Sequence, residues 1–184
     1  INDGVIENLS VEMQGTIKGS QFVGVIAGQN NGTIRNVSVT QDSALNSGEG
    51  VQGTDNSQTF VGGITGRNNA GGMVANSFAK VAVHGQYFVG GLVGGNKGLI
   101  QDCYSYTAGE VKGNQYVGGA VGGNYANGNV ENVWVDPYVM ALNTSKSGVF
   151  AGAQNGTVTQ SYVVSTTSGT QGGATRISSA DLQN

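Results

Sequence analysis

An aromatic residue followed by Val and Gly recurs along the chain and restricts its fold more than any other feature. Residues 22–24, 60–62 and 88–90 read Phe-Val-Gly, and residues 116–118 read Tyr-Val-Gly. A degenerate copy begins at Gly148, so the steps between matched glycines are 38, 28, 28 and 30 residues. Spacing of this size is typical of solenoids and propellers, in which each repeat packs on its neighbours.

A second recurring signal is an aliphatic residue followed two positions later by an amide or an acid. Its six copies are Ile6/Asn8, Ile34/Asn36, Val74/Asn76, Ile100/Asp102, Val130/Asn132 and Val158/Gln160. Each unit therefore contains two clear predicted strands, and residues 109–113 suggest a short third one. A propeller blade needs about four strands, so the pattern favours coils over blades. The sequence predicts an all-β, right-handed parallel β-solenoid of about five to six coils, with about 28 residues per coil.

The amide of this second signal predicts a bend within the strand. If Ile34 points into the core, strict alternation would bury Asn36 and expose Val37 and Val39. A left-handed backbone at Asn36 returns both valines to the core, and Asn adopts that conformation at low cost. Stacked coils would place the six amide or acid residues in one column, with hydrogen bonds between neighbouring side chains.

Composition excludes several classes of function. The net charge is −3, and only 10% of the residues are charged, with no basic cluster. Nucleic-acid binding is therefore excluded, because it depends on neutralising phosphates. No run of about 18 apolar residues occurs, so direct membrane insertion is not predicted. The single cysteine, Cys103, cannot form an intrachain disulfide, which suits a bacterial surface better than a small disulfide-stapled secreted domain.

The repeat resembles the bacterial GLUG repeat, which is named for a Gly-Leu-aliphatic-Gly core. Residues 91–94 read Gly-Leu-Val-Gly, while 63–66 (Gly-Ile-Thr-Gly) and 119–122 (Gly-Ala-Val-Gly) are close variants. The resemblance covers about residues 4–169 and includes the second half of the repeat at 98–105. We expect a repeat domain at 1–169 and a tail at 170–184 that caps the last coil or begins the next element. Ser178 or Ser179 is expected to N-cap a short helix in this tail.

The resemblance implies a non-catalytic function. GLUG repeats occur in adhesin-like surface proteins and in the non-catalytic part of immunoglobulin A-cleaving metallopeptidases. We therefore expect a non-enzymatic part of a longer bacterial protein, extracellular or on the cell surface, that binds a host-surface glycan or protein. The alternative is a structural or substrate-facing module of such a zinc metallopeptidase, whose catalytic site lies outside this chain. A glycan-processing β-helix enzyme is a third hypothesis, disfavoured because arginines are few and acids are scattered.

The candidate ligand-binding residues form an aromatic series on the second strand. The position two after each amide or acid is occupied in turn by Ser10, Ser38, Phe78, Tyr104, Trp134 and Tyr162. If the bend resets the alternation, the four aromatic side chains face outward at the spacing of the coils, with Tyr106 and Tyr138 nearby. Exposed aromatic surfaces bind sugar rings and peptide side chains. The alternative is that these rings stack on each other, or lie under segment 136–146, and only stabilise the fold.

Signals for an enzyme or a metal site are sparse. His84 is the only histidine and lacks the partners of a catalytic triad or a zinc site; we expect it in a solvated turn. Cys103 is expected to be a buried core thiol. We expect no cofactor, although the long polar stretch 41–57 contains Asp42, Glu49 and Asp55, which could together hold calcium. Whether this stretch or segment 136–146 binds a ligand stays open.

Overall fold

The computed structural model describes residues 1–42, 44, 49–55, 58–106, 110–164 and 172–177. Its elements are, in chain order, β1 (Val5–Met13), β2 (Ile17–Gly19), β3 (Phe22–Gly24), β4 (Ala27–Asn30), β5 (Thr33–Gln41), β6 (Val51–Gly53), β7 (Phe60–Gly62), β8 (Thr65–Asn68), β9 (Met73–Ala75), β10 (Phe78–Lys80), β11 (Val83–His84), β12 (Tyr87–Gly90), β13 (Val93–Asn96), β14 (Leu99–Tyr106), β15 (Val111–Gly113), β16 (Gln115–Gly118), β17 (Val121–Asn124), β18 (Asn129–Asp136), β19 (Val139–Ala141), the 3-10 helix η1 (Thr144–Lys146), β20 (Ala151–Gln154), β21 (Thr157–Thr159), β22 (Tyr162–Val164) and β23 (Thr175–Ile177).

Equivalent strands stack into four parallel sheets. Sheet 1 contains β1, β5, β9, β10, β14, β18, β21, β22 and β23; sheet 2 contains β2, β6, β11, β15 and β19; sheet 3 contains β3, β7, β12 and β16; sheet 4 contains β4, β8, β13, β17 and β20. Val5 pairs with Thr33 and Val89 with Val117, which are each one coil apart. The fold is the predicted right-handed parallel β-solenoid, with about five turns of about 28 residues.

Each coil contains more strands than the sequence indicated. The predicted first strand is divided in two, so that β7 belongs to sheet 3 and β8 to sheet 4. Glycine permits the sharp fold between them, because the two halves pack backbone against backbone. A Cβ atom at Gly66 would lie 2.5 Å from the Val23 nitrogen and 2.7 Å from the Phe60 oxygen. With the long strand of sheet 1 and the short strand of sheet 2, a coil has four sides.

The predicted bend in sheet 1 is confirmed. All six amide or acid positions of the second signal have positive φ, between 47° and 57°; we call them the bend column (Asn8, Asn36, Asn76, Asp102, Asn132, Gln160). Val37 and Val39 are fully buried, as the reset alternation requires. Neighbouring members bond at the surface: Asn36 Nδ2 donates to Asn8 Oδ1 at 3.1 Å, and Asn132 Nδ2 donates to Asp102 Oδ1 at 2.6 Å.

A second amide column, which was not predicted from the sequence, lies inside the solenoid where sheet 4 ends. We call it the asparagine ladder (Asn2, Asn30, Asn68, Asn96, Asn124). Each Nδ2 donates to the Oδ1 of the next member, at 2.7 Å for the first pair and 2.9 Å for the other three. These side chains are buried, and they also bond the backbone of the following turn, so they close each coil without leaving polar atoms unpaired.

The two long insertions supply strands to sheet 2. Stretch 41–57 contains β6, and segment 136–146 contains β19, in which Val139 pairs with Val111. The middle of segment 136–146 therefore continues a sheet of the solenoid. After β19, the Asn143 side chain accepts a hydrogen bond from the Ser145 N–H at 3.2 Å and caps η1.

The chain continues sheet 1 beyond residue 169. Strand β23 pairs with β22, with Tyr162 opposite Thr175 and Val164 opposite Ile177. The helix expected at Ser178 or Ser179 lies outside the described residues. Within the described part of the chain, no helix has the length and apolar character needed to cross a membrane.

Candidate ligand-binding surfaces

Four of the six candidate aromatic residues form one register column on sheet 1, which we call the outer aromatic column (Phe78, Tyr104, Trp134, Tyr162). In the preceding coils the same positions hold serines, and Ser38 Oγ donates to Ser10 Oγ at 2.7 Å. The bend column directs these side chains away from the valine core. Trp134 is 40% exposed and Tyr162 is 38% exposed, so both contact solvent.

The rings of the outer aromatic column stack on each other over part of its length. The centroids of Phe78 and Tyr104 are 4.6 Å apart, and those of Tyr104 and Trp134 are 4.9 Å apart, with interplanar angles of 8° in both pairs. No ligand ring fits between rings at this distance, so the middle of the column presents edges rather than faces. Among the described residues, no stacked pair joins Trp134 to Tyr162. Both side chains are partly exposed, and on its other side Tyr162 lies opposite Thr175 of β23.

The remaining two candidates, Tyr106 and Tyr138, are not members of this column. Tyr106 follows Tyr104 by two residues on the same strand, is 44% exposed, and has Lys80 Nζ 5.6 Å from its ring centroid. Its register neighbour is Asp136, whose pKa is raised because burial disfavours the carboxylate. Tyr138 lies beyond the end of β18, at the turn into sheet 2, where its carbonyl accepts the Val111 N–H at 2.9 Å.

A second stacked series lies where sheets 3 and 4 meet, and we call it the corner aromatic column (Phe22, Phe60, Phe88, Tyr116). Its ring centroids are 5.5, 4.7 and 4.6 Å apart. In the sequence these aromatics mark the repeat, and their stacking was not predicted. Phe88 and Tyr116 have φ of 48° and 57°, an uncommon conformation for bulky residues. The Arg67 guanidinium carbon lies 5.3 Å from the Phe60 ring centroid and covers one side of the column.

His84 does not lie in a solvated turn, as we expected, but in β11 of sheet 2. Its Nε2 is 3.4 Å from Glu110 Oε1, and Lys112 Nζ is 3.4 Å from the same oxygen. The half-buried position lowers the pKa of His84, mainly because burial disfavours the imidazolium; Glu110 opposes this effect and Lys112 adds to it. No sequence pattern indicated this cluster, because Glu110 and Lys112 come from the following coil.

A cleft of about 310 Å³ lies beside this cluster. The side chains around it are mainly amides and charged groups: Gln52, His84, Gln86, Lys112, Asn114 and Leu142. Its size is at the lower end of the range for small-molecule sites. The cleft lies on a different side of the coil from the outer aromatic column, so the two are separate candidate surfaces.

The remaining candidates for chemistry are not assembled into a site. Cys103 is the predicted core thiol, with Sγ donating to the Gln101 carbonyl at 3.1 Å, and burial raises its pKa to about 12. Asp42, Glu49 and Asp55 do not form a metal-ligating group, and no such group of three or more His, Cys, Asp or Glu side chains occurs among the described residues.

Comparisons of the chain with protein-family models, with curated proteins and with solved structures found no match. The resemblance to GLUG repeats therefore depends on the quoted motifs alone.

Proposed function

We propose that this chain is a non-catalytic repeat domain of a bacterial surface or secreted protein and mediates adhesion by binding a glycan or protein of a host surface. The observation that carries the proposal is the partial exposure of the outer aromatic column at Trp134 and Tyr162. Aromatic faces at such a position bind the apolar face of a sugar ring or an apolar side chain. Tyr106 and Lys80 lie beside the other part of the column, each two residues beyond Tyr104 and Phe78 on their strands, and add a hydroxyl and a cation there.

The character of the fold supports binding rather than catalysis. Sheet 1 is fixed by continuous pairing between coils, so the aromatic side chains are held on a rigid surface before a ligand arrives. Preorganisation of this kind reduces the entropy lost on binding. The only thiol of the chain is buried and protonated at neutral pH, so it does not supply a nucleophile.

The test uses Trp134, the only tryptophan, as the reporter. The isolated chain is titrated with a panel of host-type glycans and with the ectodomain of a host surface protein, while indole fluorescence is recorded. We expect one class of ligand to give a saturable spectral change. The double variant Tyr106→Ser, Tyr162→Ser retains the reporter and should weaken that response by about tenfold or more, given the loss of two aromatic contacts.

The matched control is Tyr138→Ser, which removes an exposed tyrosine outside the outer aromatic column. It should bind like the unmodified chain. A complete lack of response to every ligand would remove the adhesion proposal and favour the alternative of a passive module in a larger metallopeptidase. An equal loss in all variants, including Tyr138→Ser, would place the binding surface elsewhere.

A further inference from the structure

The cleft beside His84 has the composition of a recognition site rather than of an ordinary surface groove. In register, His84 lies between Gln52 on one coil and Lys112 on the next. Because coils are stacked about 4.8 Å apart, the three side chains span about 10 Å along the solenoid axis. The cleft is therefore long enough for a saccharide of one or two residues lying parallel to that axis.

One buried polar atom beside the cleft makes no hydrogen bond to a described residue. His84 Nε2 is buried, and although Glu110 Oε1 is 3.4 Å away, no hydrogen bond is formed to any described residue. Unpaired buried polar atoms are rare in folded proteins, and each one calls for an explanation. The Glu110 carboxylate at 3.4 Å is the electrostatic partner of this buried nitrogen, so His84 offers a ligand only the rest of its ring at the wall of the cleft.

The floor of the cleft is glycine backbone, and its hydrogen bonds are already made. The Gly85 N–H donates to the Lys112 carbonyl at 3.0 Å, and the Gly113 carbonyl accepts the Leu142 N–H at 3.0 Å. An extended peptide binds such a surface chiefly through free backbone groups, which this floor does not offer. Recognition must therefore use the surrounding side chains.

Those side chains favour a neutral polyhydroxylated ligand. Glu110 lies 3.4 Å from Lys112 Nζ, so one negative and one positive charge compensate each other at the cleft. The amides of Gln52, Gln86 and Asn114 provide both donors and acceptors. Leu142, 79% exposed, supplies one apolar surface at the end. We propose that this cleft is a binding site for a neutral mono- or disaccharide, distinct from the surface of the outer aromatic column.

The test follows the signals of two side chains, His84 and Trp134, in the same sample. His84 is the only histidine and Trp134 the only tryptophan, so the imidazole and indole N–H signals in a proton–nitrogen NMR spectrum need no further assignment. The chain is titrated with lactose, cellobiose, maltose and di-N-acetylchitobiose, and with a capped trialanine peptide. We expect one saccharide to shift the His84 signals saturably, with an affinity in the millimolar range that is common for weak single-site ligands.

Two variants connect the signal to the cleft. Leu142→Ala removes an exposed side chain at its end and should weaken binding about threefold, and His84→Asn should weaken it about tenfold, as measured by changes of the remaining cleft signals. Lys18→Ala is the matched control, because Lys18 pairs with Gln52 in the same column but does not line the cleft. It should leave the affinity unchanged.

The outcomes separate this inference from the adhesion proposal. A His84 response to a saccharide without a Trp134 response supports the cleft and removes the outer aromatic column as the binding surface. A Trp134 response without a His84 response does the reverse. A His84 response to the peptide alone, or an equal effect of Lys18→Ala, would overturn the saccharide site.

Discussion

The side of the solenoid formed by sheet 1 and the side formed by sheets 3 and 4 each carry one aromatic column and one amide column. On sheet 1 both columns are at the surface: Trp134 and Tyr162 contact solvent, and the bend column bonds at the exterior. On the other side the asparagine ladder is buried, and Phe60 is only 6% exposed, while Phe22, Phe88 and Tyr116 are half-buried. The same stacking of identical positions thus occurs in two surroundings, partly exposed on one side and more deeply buried on the other.

The stacking distances alone do not distinguish the two sides. Neighbouring rings are separated by 4.6–4.9 Å in the outer column and by 4.6–5.5 Å in the corner column. What differs is the surroundings of the rings. The corner rings lie over the glycines of sheet 4, where a Cβ atom at Gly95 would be 2.6 Å from the Phe60 ring. A stacked column becomes structural when its ring edges are also covered.

The largest effect should come from Asn96→Ala in the asparagine ladder. Asn96 Oδ1 accepts from Asn68 Nδ2 and from the Gly98 N–H, and its Nδ2 donates to Asn124 Oδ1. Removing it leaves several buried polar groups unpaired, at about 1–3 kcal/mol each, so we expect a loss of about 4 kcal/mol in the free energy of unfolding. Urea denaturation followed by circular dichroism measures the change. A loss below about 1 kcal/mol would show that water satisfies the ladder and that it is not a cohesive element.

The second effect should come from Phe88→Ala in the corner aromatic column. Phe88 is stacked between Phe60 and Tyr116 and lies against Gly123. Truncating a packed phenylalanine costs about 3 kcal/mol. Phe78→Ala at the end of the outer column is the comparison variant, and it should cost only about 1 kcal/mol because the ring is stacked on one side. Equal losses, measured as shifts of the urea midpoint at constant slope, would contradict the division into a cohesive and an accessible column.

A smaller effect should come from the bend column. Asn36 has φ of 52°, so Asn36→Ala places a Cβ-bearing residue without a compensating amide in the left-handed region and should cost about 1 kcal/mol. Asn36→Gly is the matched control and should be nearly neutral, since glycine adopts this backbone freely. If both variants lose the same stability, the surface hydrogen bond to Asn8 matters more than the backbone conformation.

The sequence predicted those features that depend on local alternation. The conflict between Ile34, Asn36 and Val37 within one strand required a bend, and the structure has it. The repeat spacing likewise predicted the solenoid and the common register of Phe78, Tyr104 and Trp134. Whether those rings stack on each other could not be decided from the spacing. An outward-facing aromatic side chain has the same repeat spacing whether it stacks on its neighbour or extends into solvent.

The features that the sequence did not reveal arise between coils. Asn96 precedes a turn, where asparagine is ordinary, and only the stacking of five coils makes it part of a buried ladder. The division of the first strand was hidden because residues such as Gly94 and Gly95 carry no apolar pattern. Glu110 and His84 are 26 residues apart in sequence, and nothing local relates them.

Sheet 2 lies between the two sides. Its His84 side chain is half-buried but not part of a stacked column, and it leads to the smallest predicted effect. The fold lowers the pKa of His84 below its usual 6.5, with Glu110 and Lys112 as the charged groups that face it. When the pH falls below 6.5, the unfolded chain therefore takes up a proton before the folded chain does. The free energy of unfolding should therefore decline as the pH falls from 6.5 towards the lower pKa of His84 in the folded chain. The His84→Asn variant should lack the part of the decline that comes from this imidazole. Urea midpoints of both proteins on either side of pH 6.5 measure the difference. Parallel pH profiles would mean that the imidazole is as well solvated as in the unfolded chain, and sheet 2 would then belong with the accessible side of the molecule.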